Sequence, residues 1–151
     1  MVTTWGPGPG VLELPSGRRV RGRSIRANPA PPADFTLYLL TFPPRNEESA
    51  YAWLRWPDFW LPTDPGRARA LITEAYARSA TERVEVCCGG GVGRTGTVLA
   101  CFAVLDGLTP EEALAHVRRH YHPRATETPW QRRFLSRFAT QPRRTRGVTN
   151  P

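Results

Sequence analysis

The run Cys88-Gly-Gly-Gly-Val-Gly-Arg94-Thr95 puts a thiol, a flexible loop, a guanidinium and a hydroxyl side by side. These residue types in this order make a cradle for a tetrahedral oxyanion, with a nucleophile in its floor. Gly89, Gly90, Gly91 and Gly93, with Val92 among them, let successive backbone N–H groups turn inward around an anion. Arg94 offers a planar fork that grips two oxygens. Thr97-Val-Leu-Ala-Cys-Phe-Ala-Val-Leu105 is apolar almost all round, as a core helix is, so the loop sits on the positive end of a helix. That field favours a thiolate and makes Cys88 the nucleophile. Arg83-Val-Glu-Val-Cys87 reads as a short buried strand, and strand, glycine loop and helix form the usual setting for phosphate binding. The bare Cys-x5-Arg spacing carries little, because with 3 Cys and 21 basic residues chance alone gives about 0.4 matches. The alternative for this segment is a tight strand-to-helix connection holding a buried structural cysteine.

Hydrolysis of a phosphate monoester at such a cradle needs a proton for the leaving oxygen. Trp56-Pro57-Asp58-Phe59-Trp60-Leu61-Pro62 fits that need: two prolines stiffen a loop, Trp56 anchors it, and Asp58 is its one acid. On its own, Asp58 reads equally as a solvent-exposed loop residue beside core aromatics.

The elements that must position these groups follow from turn and cap signals. Residues 11–14 and 19–25 flank Pro15-Ser16-Gly17, which implies an N-terminal hairpin. Residues 27–34 are proline-rich and read as a loop, 35–41 and 51–56 as strands, and 43–49 as a polar turn. Asp64-Pro65 caps a helix running to about residue 79. Gly107 ends the core helix, Thr109-Pro-Glu-Glu112 is a capping box opening the next, and a last helix starts near Pro129. Strands alternating with helices imply an α/β fold with a mainly parallel, twisted sheet and helices on both faces. Residues 1–140 read as one catalytic domain. From 141 to 151 the chain is rich in Arg with no apolar periodicity and is expected to be disordered.

Taken together, these segments resemble the protein tyrosine phosphatase superfamily. In that family the cradle reads His-Cys-x5-Arg-Ser/Thr-Gly, and the acid loop reads Trp-Pro-Asp with a proline four residues on, as Pro62 stands here. Thr128-Pro-Trp-Gln131-Arg-Arg-Phe134 resembles a third family segment, Thr-x-x-Gln-x-x-Phe. The motifs occur in the family's order, which weighs more than any one alone. The resemblance implies a cysteinyl-phosphate mechanism. Cys88 would attack, Arg94 and the amides of 89–94 would hold the oxygens, and Asp58 would act as acid and then base. Gln131 would orient the water, and Thr95 would support the departing thiolate. It implies no metal or cofactor, and as partner a phosphorylated protein or peptide, with phosphotyrosine ahead of dual (Ser/Thr/Tyr) specificity. Phosphate or sulfate is expected to fit the loop.

The chain also departs from the pattern. Cys87 stands where the family has His; it is a candidate redox partner for Cys88, although a small buried residue at a strand end is the reading preferred here. Trp60 stands where Gly is common, and Glu127 replaces a frequent Gln. Cys101 is expected in the core. Because the His is missing, the rival from another class is a non-catalytic phosphopeptide-binding module; the retained acid and thiol argue against it. His116 and His120 share a helix face but lack further ligands for a metal. Net charge is +8, and all basic side chains are Arg, so anionic partners are favoured. The Arg cluster at 143–146 is read as solvated charge, which disfavours nucleic acid. No apolar run approaches membrane-spanning length, and two adjacent cysteines make no disulfide framework, so a cytoplasmic protein away from membranes is expected.

Overall fold

The computed structural model describes residues 3–45 and 49–140. The Arg-rich tail and part of the 43–49 turn lie outside the described residues. The chain runs β1 (Val11–Glu13), β2 (Arg19–Ser24), β3 (Phe35–Leu40), β4 (Ala50–Arg55), α1 (Pro65–Arg78), β5 (Val84–Cys88), α2 (Gly93–Leu105), α3 (Pro110–His120) and α4 (Pro129–Thr140). The local signals act where they stand. Asp64 Oδ1 accepts from Arg67 N (3.0 Å) at the start of α1. Thr109 and Glu112 close a reciprocal capping box on α3. After α2, Gly107 takes φ 116° while its N–H and that of Leu108 bond the carbonyls of Val104 and Ala103, a Schellman ending.

The sheet order is β1-β2-β5-β3-β4, with only β1–β2 antiparallel. This is the α/β class with a mainly parallel sheet and an N-terminal hairpin. Period-two alternation splits β5 and its neighbours between two faces. Val20, Leu37, Leu39, Leu54, Val86 and Cys88 join the main apolar core. Against it lies α2, buried along nearly its whole length and touching α1, α3 and α4, so the four helices form one layer. Helical cover, expected on both faces, is concentrated on this one. The 25–34 connection that crosses the reverse side holds three prolines and cannot build a helix.

The reverse face is polar and closed by charge pairing. Glu85 lies buried between Arg21 and Arg23, accepting from Arg21 Nε (2.5 Å) and Arg23 Nε (2.8 Å). Burial alone would depress Arg23, yet the bond to Glu85 and nearby acidic groups hold it above its ordinary value. Trp5 covers Arg21, with the guanidinium 4.0 Å from the ring centre, and its Nε1 donates to Val84 O (2.7 Å).

All four parallel strands end on one edge, where the β2, β5 and β4 loops gather. Open parallel sheets bind ligands at that edge.

Candidate active site

β5 ends at Cys88 and α2 begins at Gly93, so the intervening residues make a tight loop on the helix N-terminus. α2 starts four residues earlier than its apolar run, because the end of the glycine loop itself winds into the first turn, with Gly96 N bonding Val92 O (2.8 Å). Gly91 is left-handed (φ 71°), and this conformation aims its N–H at Cys88 Sγ (3.2 Å). The loop's carbonyls are turned outward by three donors: Ile25 N to Cys88 O (2.9 Å), Ser24 Oγ to Gly89 O (2.8 Å) and Tyr121 Oη to Gly91 O (2.5 Å). With its carbonyls tied back, the loop presents N–H groups to its centre. Burial pushes the Tyr121 hydroxyl above its ordinary range, and the neighbouring Cys88, Cys87 and Glu85 add to this, so it stays a neutral donor.

Arg94 lies in the first turn of α2 with its guanidinium buried beside the loop; Nη1 donates to Trp56 O (2.8 Å) and Nη2 pairs with Asp58 Oδ1 (3.4 Å). Its Nε and Thr95 Oγ1 are buried and have no hydrogen-bond partner among the described residues. Trp56 is fully buried, edge-on to Phe134 (5.4 Å), and its Nε1 donates to Trp60 O (2.7 Å). The loop's tip is tight: Phe59 adopts φ 57°, its N–H donates to Asp58 Oδ1 (3.0 Å), and Trp60 N bonds Pro57 O (3.1 Å). α4 holds this tip. Trp130 Nε1 donates to Phe59 O (2.5 Å), Gln131 Nε2 to Trp60 O (3.3 Å), and the Trp60 and Trp130 rings pack at a 56° tilt with centres 5.6 Å apart. Five residues separated by up to 73 positions thus converge: Cys88, Arg94, Thr95, Asp58 and Gln131.

Residues 57–145 match the family described as the Swiss Army Knife protein, DSP-PTPase phosphatase domain. The chain belongs to this phosphatase family, within the protein tyrosine phosphatase superfamily. Its fold is similar to Tk-PTP in its active form, at 25% identity and TM-score 0.64, covering 73% of this chain and 80% of that one. It is also similar in fold to PTPMT1 in complex with PI(5)P, at 17% identity and TM-score 0.54, covering 70% and 75%. Among curated relatives, the uncharacterized protein MJ0215 of Methanocaldococcus jannaschii is 34% identical over 87 residues, covering 58% of this chain and 54% of that protein. A second, MJECL20 of the same organism, is 37% identical over 81 residues, covering 54% of each. The chain therefore spans about half the length of the curated relatives it matches.

Against the pattern of this phosphatase family, Gln131 and Glu127 behave in ways the sequence did not disclose. Gln131 is buried with its carbonyl taken by Glu127 N (3.0 Å) and Thr128 N (3.4 Å) and its amide given to Trp60 O; in this arrangement it clamps the acid loop. Glu127 lies on the cradle instead, its carboxylate so close to Gly93 that a β-carbon there would collide with it. Thr126, buried at φ 61°, sets the turn that brings Glu127 back over α2. Cys87 faces the reverse side of β5 from Cys88: only Cys88 joins the helical core, while Cys87 lies near Arg23 and Tyr121. Cys101 is wholly buried in α2, and burial drives its thiol far above the ordinary range. His116 Nε2 donates to Glu13 O (2.8 Å) and the His116 and His120 rings pack 4.7 Å apart; no metal-ligating cluster occurs among the described residues. Among them too, no helix is long and apolar enough to cross a membrane.

Ser24 and Tyr121 are the functional residues that sequence reasoning missed. Both act from distant elements, and neither sits in a recognisable motif.

Proposed function

We propose that this chain hydrolyses phosphate monoesters on proteins, phosphotyrosine foremost, through a cysteinyl-phosphate intermediate. One observation carries the reading: the acid loop is docked over the cradle, with Asp58 3.4 Å from the Arg94 guanidinium, which itself packs against Gly89 of the glycine loop. Substrate phosphate and Asp58 compete for Arg94, so phosphate binding frees the carboxyl for the leaving oxygen. Cys88 thiolate then attacks phosphorus, the P–O bond to the leaving group breaks, and Asp58 delivers its proton to that oxygen. Arg94 and the inward amides of 89–94 hold the equatorial oxygens, where charge grows in the transition state. In the second step Asp58 takes a proton from water, the water oxygen bonds phosphorus, and the P–S electron pair returns to sulfur. Thr95 Oγ1, buried without a partner among the described residues, is available to donate to that thiolate. Gln131 and Trp130 keep Asp58 over the cradle. Nothing in this scheme calls for a metal or cofactor.

A dual-specificity reading is favoured by the family match itself, whose description names the DSP-PTPase group. Three free cysteines, two of them adjacent, accord with a reducing, cytoplasmic location.

The test is turnover of p-nitrophenyl phosphate beside phosphotyrosine and phosphoserine peptides, with Cys88→Ser and Asp58→Ala as controls. Cys88→Ser should abolish turnover. Asp58→Ala should slow poor leaving groups by about 10²–10⁴-fold while sparing good ones. Phosphopeptide binding without turnover in the wild type would replace the enzyme reading with that of a binding module.

A further inference from the structure

A second concavity of about 260 Å³ lies between the trailing half of the acid loop, the start of α1 and the exposed side of α4. No cradle residue lines it. Its apolar surface comes from Leu61, Trp130, Phe134 and Phe138, and its rim from Arg69, Arg133 and Arg137. Arg69 is already engaged, lying over the Phe138 ring (4.4 Å) and donating to Phe138 O (2.7 Å). Arg133 and Arg137 are different. They stand one turn apart on α4, both exposed, and like charges at that spacing repel. α4 contains no acidic residue, and among the described residues neither guanidinium forms an ion pair. No acid lines the hollow, and Asp64, just before α1, is occupied in capping that helix. An apolar hollow with two uncompensated cations at its lip is complementary to an apolar body carrying an anionic head.

We propose that this pocket binds a small anionic amphiphile, an alkyl or aryl carboxylate of roughly ten heavy atoms at about 20–30 Å³ each. The tail packs on Leu61, Trp130 and Phe134, and the carboxylate bridges Arg133 and Arg137. Because the walls include Leu61 and Pro62 of the acid loop, and Trp130 that holds the loop's tip, an occupant contacts both the loop and its anchor. A ligand with better contacts to the closed loop shifts the population toward closure. Binding stands apart from the proposed phosphatase chemistry; the coupling to the loop rests on it.

The probe is decanoate, titrated against the intact chain by intrinsic tryptophan fluorescence and calorimetry, with decanol and an acidic decapeptide as comparisons. Saturable one-to-one binding is expected. It should weaken at least tenfold in Arg133→Glu/Arg137→Glu, recover in part in Arg133→Lys/Arg137→Lys, and be much weaker for decanol. Because phosphate takes Arg94 from Asp58, inorganic phosphate at the cradle should weaken decanoate, and decanoate should weaken phosphate by the same factor. Unsaturable binding, equal affinity in the charge-reversed variant, or equal affinity for decanol would overturn the site. So would binding of the acidic decapeptide without binding of decanoate, which would assign the surface to a protein partner. Absence of any mutual effect with phosphate would overturn the coupling. Failure of phosphate to bind at all would count against the cradle reading and leave the decanoate result standing.

Discussion

Replacing Gly91 with Ala tests whether the cradle is braced by β2 as described. Gly91 sits at φ 71°, and a β-carbon there would lie 2.6 Å from Ser24 N and 2.8 Å from Arg23 C. Both obstacles are backbone atoms of β2, where Arg23 and Ser24 pair with Cys87 and Cys88 of β5, so they cannot swing away as a side-chain tip would. The left-handed conformation costs an alanine about 1–2 kcal/mol, and forcing an extra carbon into packed backbone about 1–3 kcal/mol, so the loss is about 2–5 kcal/mol. For a chain of this size that is about 4–20 °C in melting temperature. The shift would also draw the Gly91 amide away from Cys88 Sγ, so iodoacetamide alkylation at neutral pH should slow in the same variant. The control is next door. Gly90 has nothing within 4 Å of an added β-carbon and no positive φ, so Gly90→Ala should stay within about 0.5 kcal/mol of the wild type. Thermal melts of the two variants side by side decide the matter. Equal melting temperatures, or a Gly91→Ala protein as stable as the parent, would refute the bracing argument.

Trp130→Phe keeps an aromatic ring against Trp60 but deletes the donor to Phe59 O. One such bond is worth about 0.5–1.5 kcal/mol, so the closed-to-open ratio of the acid loop falls by up to about tenfold. Aryl phosphates with poor leaving groups should then turn over more slowly and those with good ones unchanged; an equal fall for both would show that the clamp does not serve Asp58. Asp34 gives a pH signature. Its partial burial opposes ionisation, but hydrogen bonds from the Arg83 side chain and backbone outweigh this and hold it below the ordinary carboxylate range. A depressed folded value stabilises the fold above the unfolded value of about 4 and is lost as pH falls through the folded one. The wild type should therefore lose melting temperature below about pH 4, and Asp34→Asn should give a flatter curve there.

The chemistry-bearing segments were legible because each is local. The cradle, the acid loop and the capping box are short runs in which composition dictates conformation, and the helix boundaries follow from Asp64, Thr109 and Gly107. The supports were not legible, because they are long-range. Nothing adjacent to Ser24 marks it as the donor to Gly89 O, 65 positions away, and Tyr121 reads as an ordinary helix-end aromatic until Gly91 O is placed beneath it. Gln131 carries the family's residue type, but only the folded positions of Glu127, Thr128 and Trp60 reveal that its polar atoms are spent on backbone. The one-sided helical layer likewise depends on a proline-rich crossover whose path over the sheet no local pattern states.

Arg21 pairs with Glu85 across 64 positions, and the braces on the cradle cross the same gap. Strand, glycine loop and α2 are contiguous and quick to form, whereas the β2–β5 pairing that ties back the loop's carbonyls must close a long stretch of chain, the slow and entropically costly part of folding. During synthesis the β1–β2 hairpin emerges before its partner strand β5 and waits for it. Until that partner docks, the nascent chain carries the whole cysteine motif with its amides still unaligned. On the proposed mechanism, the thiol of a newly made chain stays chemically quiet until its most distant contacts are in place.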